Sequence, residues 1–388
     1  MSAKPAPAPL VPFEKAAVAQ SDRGKRVKQR DYLADGRIPV IDQGQSPVGG
    51  YTNDEDFAFT GELPVVLFGD HTRAVKLVDR RFAVGADGIK IFRPAEGVRA
   101  KYLYYWMKSA PLPDRGYGRH YQYLRQLSLP LPSPKQQDEI VAEIEEQFSR
   151  LDEAVVNLKR VKANLKRYKA AVLTSATRGE LLPGAGPFGS IPLAELCGDG
   201  LFVDGDWVES KDQDPAGDVR LVQLADVGDG EFRNKSARFL TREKAGALGC
   251  TFLKAGDLLV ARMPDPLGRA CIFPGDAKDC VTVVDVCIVR PDLERADRRW
   301  LMHCINAPQV RQQVASLEAG STRKRISRKN LANVVVPAVP KPLQTQIAAE
   351  VDRRLSFVEA AEESVLENEA ASFGLRHSIL QRAFGQTG

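Results

Sequence analysis

The side chains best suited to reading or holding a polyanion lie in short clusters along the chain. Arg23, Lys25, Arg26, Lys28 and Arg30 place five cations within eight residues, a composition that fits phosphate oxygens. Gln43 and Gln45 flank Gly44, and Tyr51, Thr52 and Asn53 follow a Gly-Gly pair. Gln and Asn carry a donor beside an acceptor, the pattern adenine presents in the major groove, and glycine permits close backbone approach. His71-Thr72-Arg73 offers an arginine to guanine, although the preceding Asp70 is equally suited to fixing a turn. Tyr117, Arg119, His120 and Tyr121 interleave bases with aromatics. The second half offers Arg262 and then Arg323, Lys324, Arg325, Arg328 and Lys329, the densest basic run of the chain. Each cluster also fits a solvated polar loop, and the sequence leaves both readings open.

Other chemistries are weaker in the sequence. Pro264-Asp265 followed by Asp276-Ala277-Lys278 matches the loose pattern of metal-dependent nucleases, in which two acids hold Mg²⁺ and a lysine helps to activate water. Both parts sit in Pro/Gly-flanked turn sequence rather than on the adjacent strands such a site needs. The chain has no G-x-x-x-x-G-K phosphate loop, no G-x-S-x-G elbow, and no Asn/Asp-Pro-Pro-Tyr/Phe run. Its six cysteines form no C-x-x-C and do not cluster with the four histidines, so buried reduced thiols are expected and no metal site.

These clusters must be held by folded elements, and the chain states those elements twice. LRQLSLPLPSPKQQDEIVAEIEEQFSRLDEAV from Leu124 recurs from Leu331 as LANVVVPAVPKPLQTQIAAEVDRRLSFVEAAE, at a constant, gapless offset of 207 residues. Each copy reads as a short apolar strand, a Pro-rich corner and a long amphipathic helix. With Ser133 as cap and Pro134 in the first turn, the first helix runs some 40 residues, or ~60 Å at ~1.5 Å per residue. Its heptad core is Ile144, Phe148, Leu151, Val155, Leu158 and Leu165; the second copy offers Val351, Leu355, Val358 and Val365. Lys159–Arg178 is cationic without an acid, while Glu359–Glu369 holds five glutamates and no base. That contrast disfavours self-pairing and predicts an antiparallel pairing of the two helices with each other.

The rest reads as two globular heads. Residues 1–132, the first head, carry a net +6; 133–182, the first helix, +1; 183–336, the second head, 0; and 337–388, the second helix, −2. Short β-branched runs predict strands at Arg37–Ile41, Leu63–Phe68, Ala74–Val78 and Gly88–Phe92, a helix at Ala100–Ser109 and a strand at Leu127–Leu131. The second head repeats the order with Val219–Leu224, Asp257–Arg262, Val281–Val289 and a helix at Arg299–Ala307. The fold class is therefore α+β: two β-rich heads separated by two long helices in an antiparallel coiled coil. No run approaches the ~18 apolar residues of a membrane span, and the Ala/Pro-rich start lacks a signal-peptide core, so a cytoplasmic protein is expected.

The segments Ile38–Gln45, Gly49–Asn53, Phe68–Arg73, Gly85–Gly88 and Tyr117–His120, with the repeated Pro-rich corner and helix, resemble the specificity subunit of type I restriction–modification systems. The resemblance covers nearly the whole chain. It implies two target-recognition domains that read the halves of a split double-stranded DNA target. It also implies a helix pair that sets their separation and docks two methyltransferase subunits and up to two restriction subunits. S-adenosylmethionine would then belong to the methyltransferase, ATP and Mg to the restriction subunit, and no cofactor or catalytic residue to this chain. The second head lacks a Phe-Gly-Asp-His-Thr counterpart and has Leu259–Arg262 in its place. A nuclease built on Asp265, Asp276 and Lys278, or a coiled-coil assembly protein that never touches DNA, are the competing readings.

Overall fold

The computed structural model describes residues 8–86, 88–116, 118–264, 266–320 and 324–385. The chain forms two compact units, one holding residues up to Lys159 together with those from Leu366 onward, the other Arg160–Val365. The units cut across the four stretches read from the sequence. Both long helices, Pro134–Arg178 and Lys341–Ala383, are divided between them.

The first helix starts where its cap was expected. Ser133 Oγ accepts from Gln136 N (3.4 Å), and Gln136 Oε1 accepts from Ser133 N (3.1 Å), closing a reciprocal box. All ten side chains of the predicted heptad core are buried or half-buried.

In the first unit the head contains a four-stranded antiparallel sheet in the order Ala17–Gln20, Ile89–Pro94, Val65–Gly69, Val75–Val78. A three-stranded sheet follows the order Gly50–Thr52, Ile38–Ile41, Ala83–Val84, its last pair parallel. Leu10–Pro12 pairs with Ser128–Pro130. The second unit repeats this topology strand for strand. Its four-stranded order is Leu201–Asp204, Val286–Arg290, Leu258–Ala261, Ala270–Ile272, and its three-stranded order is Phe239–Leu240, Val219–Val222, Asp279–Thr282. Ser190–Pro192 pairs with Val335–Pro337. The run predicted as one strand at Val281–Val289 is two strands in different sheets, joined through 283–285. A β-branched run this rich in Val does not by itself mark the point where a chain changes sheets.

Each head carries a helix, Ala100–Ser109 or Arg298–Asn306, that packs between its sheet and the long helices. In the first unit Phe13 stacks on Trp106 with ring centroids 5.8 Å apart. Val141 and Ile144 of the first long helix, Leu380 of the second and Phe384 just past its end close this core. In the second unit Trp300 and Ile305 meet Ala348 and Val351 from one long helix and Val172, Leu173 and Ala176 from the other. The core of each unit is thus completed by the start of one helix and the end of the other. Within the first unit Ile144 lies near Ile379 and Ala383, while Asp152, further along, pairs with Arg376, so the helices run antiparallel there. This pair has its acid on the first helix and its base on the second, opposite in sense to the charge contrast read from the sequence.

The repeat also fixes how helix joins head. Gln137 is fully buried; its Nε2 donates to Gly97 O and Pro132 O (both 2.9 Å), and its Oε1 accepts from Arg99 N (2.8 Å). Gln344, 207 residues on, donates to Arg295 O (3.0 Å) and Val339 O (2.8 Å) and accepts from Asp297 N (2.7 Å). Two turns later Glu145 accepts from Lys101 Nζ (3.0 Å) and Tyr105 Oη (3.3 Å), and its counterpart Asp352 takes Arg299 Nη1 (2.8 Å) and His303 Nε2 (2.6 Å). The repeat preserves these polar anchors because an unpaired buried amide costs more than a lost apolar contact.

Candidate nucleic-acid interface

The first head gathers most of its sequence-predicted residues into one loop cluster. Buried Asp70 accepts from Tyr121 N through Oδ1 (2.8 Å), and its carbonyl accepts from His120 N (2.9 Å). His71 Nδ1 lies 3.2 Å from Gly118 O, and His71 N donates to Gln43 Oε1 (3.3 Å). Thr72 Oγ1 donates to Gln43 O (2.5 Å), and Gln45 Nε2 to Thr72 O (3.4 Å). The Phe-Gly-Asp-His-Thr-Arg turn therefore holds the Gln43–Gln45 loop on one side and the 118–121 loop on the other.

Beside this cluster opens a cleft of about 900 Å³. Gln45, Tyr51 and Arg73 line it, and so do Arg37, Lys76, Arg80, Arg81 and Lys108, against the single acid Asp79. Arg73 sits at φ 58°, with Nη2 3.1 Å from Asp114. Arg81 pairs with Glu55, and Lys76 Nζ donates to Ser46 O (2.5 Å) with Asp42 3.6 Å away. Burial pushes the Lys76 pKa down, against the opposing pull of Asp42. These flanking cations were missed in the sequence because Arg37, Lys76, the Arg80-Arg81 pair and Lys108 form no dense basic run. Only folding brings them to one concave surface, where like charges focus a positive field.

Lys25, Lys28, Arg30, Asn53 and Arg119 are exposed, the first two on one loop and Arg30 in the helical turn that follows it. Arg26 is half-buried and pairs with Asp22. Asn53 Oδ1 accepts from Arg37 N (2.9 Å), and Tyr121 packs on Phe92 with Lys90 Nζ over its ring. Tyr117 and Arg323 lie outside the described residues, as do Asp87 and Asp265.

Three residues predicted to touch DNA are corrected. Thr52 is buried in its strand, and its Oγ1 accepts from Asp54 N (3.2 Å). His120 is buried, its Nδ1 3.0 Å from Asp70 O, so it braces the loop from beneath. Arg262 is 4% exposed; its Nε donates to Ile326 O (3.0 Å) and its Nη1 to Val284 O (3.0 Å), and it forms an ion pair with Asp204 (2.5 Å). It anchors the basic run instead of belonging to it. The glycines change role as well: a Cβ on Gly49 would lie 2.3 Å from Asp42 Oδ2, so Gly49 makes room for a side chain of the head itself.

In the second head Lys324 pairs with Glu318 (2.9 Å), and Arg325 has Nη2 3.8 Å from Asp285 while its backbone bonds both ways with Ala319. Arg328 and Lys329 project from the short helix Arg328–Ala332, capped by Ser327, and are exposed. Of the nuclease pattern, Asp276 and Lys278 are among the described residues, and both are engaged elsewhere in the head. Asp276 is held below the usual carboxylate range first by its bond from Arg220 (2.7 Å), and Lys278 Nζ donates to Gly217 O (3.2 Å). Among the described residues no group of three or more His, Cys, Asp or Glu side chains could hold a metal ion, and no helix is long and apolar enough to cross a membrane. All six cysteines are buried free thiols; burial raises Cys197 to about 11 and Cys271 to about 12.

No protein-family model matches the chain. Among curated proteins it is 29% identical over 122 residues to the type I restriction enzyme EcoR124I/EcoR124II specificity subunit of Escherichia coli, covering 30% of each chain. It is 23% identical over 279 residues to the EcoBI specificity subunit of the same organism, covering 67% of this chain and 58% of that one. The alignments therefore span less than two thirds of these relatives. With the EcoDI specificity subunit it shares 21% over 315 residues, 74% of this chain and 70% of that one. Among solved structures the chain matches the HsdS subunit from Thermoanaerobacter tengcongensis with a TM-score of 0.61 and 17% identity, covering 98% and 97% of the two chains. A chain from a study of complex assembly and conformational transition of the type I R-M system matches with a TM-score of 0.71 and 18% identity, over 98% of both. The resemblance read from the motifs is thus borne out: the chain is similar in sequence to type I specificity subunits and has the fold of HsdS along almost its whole length.

Proposed function

We propose that this chain is a DNA-recognition subunit of a type I restriction–modification assembly, one head reading each half of an interrupted duplex target. The helix pair serves as spacer and as docking surface for two methyltransferase subunits and, through them, up to two restriction subunits. The observation that carries this reading is the doubling itself. Two heads of identical strand order, joined to their helices by the same glutamine and acid 207 residues apart, differ in the side chains they expose. A scaffold kept alike under surfaces that differ suits two readers of unlike sequence.

In the first head the cleft cations hold phosphates, while Gln45, Tyr51 and Arg73 face base edges. A wrong base leaves a buried polar group unpaired at a cost of about 1–3 kcal/mol. In the second head Arg328 and Lys329 take the corresponding part. The chain performs no bond chemistry; S-adenosylmethionine is used in the methyltransferase, ATP and Mg in the restriction subunit, and the assembly works in the cytoplasm.

The test is a genome-wide map of methylated bases in cells expressing the full chain with its methyltransferase partner. A target of two short specified blocks around an unspecified gap is expected, with no methylation when either protein is omitted. A continuous target, or metal-dependent cleavage by the purified chain alone, would overturn the reading.

A further inference from the structure

Trp207 is 68% exposed, whereas the other two tryptophans, Trp106 and Trp300, are buried. Backbone bonds give its place in the head. Val27 N donates to Val84 O (2.9 Å) in the first head, and Asp206 N donates to Thr282 O (2.7 Å) in the second. Gly85 N bonds to Ile41 O (2.8 Å), and Val283 N to Val222 O (3.3 Å), which confirms the correspondence. The next residue is Lys28 in one head and Trp207 in the other, and each leads into a single helical turn, Gln29–Asp31 or Ser210–Asp212.

We propose that Trp207 is a DNA-contacting residue of the second head, laying its indole against sugars and base edges where the first head sets a lysine on phosphate. This rests on the DNA-reading function proposed above. The indole is already held in place, since its Nε1 donates to Glu209 Oε1 (3.2 Å). The acids of the loop are turned to its own support: Glu209 Oε2 pairs with Lys211 Nζ (2.6 Å), and Asp212 Oδ2 accepts from Glu209 N (3.1 Å). Asp206 Oδ2 accepts from Thr251 N (2.9 Å). An ordered aromatic loses little freedom on binding, and an apolar face can meet thymine methyls or wedge at a base step. Such a contact releases no counterions, so it adds affinity without salt dependence.

The two buried tryptophans make emission a direct probe. The full chain is titrated with a labelled random-sequence duplex, with DNA anisotropy reporting binding independently of protein fluorescence. Emission is expected to fall and shift to the blue on saturation, and to stay constant in Trp207→Phe. Trp207→Ala should bind roughly tenfold more weakly with an unchanged salt slope, and Trp207→Phe nearly as well as the parent. Lys28→Ala should instead lower the slope by about 0.9. Constant emission under saturating anisotropy would overturn the assignment and leave the DNA-reading function standing. Emission that answers only to added methyltransferase subunit would reassign Trp207 to a protein interface. A chain that binds no duplex at all would sink both.

Discussion

Gln137 and Gln344 are themselves buried and each satisfies three backbone groups, and this is why one polar residue type stands at both apolar helix–head joints. Gln344→Leu keeps the volume but strands Asp297 N, Arg295 O and Val339 O, and should cost about 2–4 kcal/mol in urea unfolding. Gln137→Leu should cost a similar amount. The acid two turns on gives a pH signature. Burial raises the Asp352 pKa, but bonds from His303 and Arg299 outweigh it and bring it below its ordinary 3.8. Its stabilisation is therefore complete above that value and drains away as pH falls through the lowered one. The stability gap between the parent and Asp352→Asn should narrow as unfolding is measured from pH 6 down to about pH 3; a gap constant over that range would remove Asp352 from the anchor. In the first-head cleft, Arg80→Ala and Lys108→Ala should each flatten the salt dependence of DNA binding by about 0.9 while leaving thermal unfolding nearly unchanged.

The long helices show why an element can be legible while its partners are not. Heptad spacing, a Ser-Pro start and 45 residues free of Gly or internal Pro announce a rod, and the observed helix spans Pro134–Arg178. The same pattern says nothing of Leu380 and Phe384, which leave the heptad seam to pack on the first head. Deleting one heptad from each helix should shorten the spacer by about 10 Å and change the methylated gap by roughly three base pairs. An unchanged gap in the methylation map would show that the rods do not set the spacing.

At the scale of the whole molecule, two heads with unlike surfaces should fail independently. Gln45→Ala or Tyr51→Ala should relax one block of the mapped target and leave the other intact, and Trp207→Ala should weaken binding without touching the first block. The repeat, the two long helices, the basic first head and about half of the strands could be read from residues alone, because periodicity, caps and offset are local properties of the chain. The shared strand order of the heads, the cleft and the true roles of Thr52, His120 and Arg262 could not. Whether a polar side chain faces DNA or braces a loop depends on which strands and turns close over it. Arg37, the 76–81 stretch and Lys108 stand far apart along the backbone and acquire a common purpose only where sheet and helix bring them to one wall.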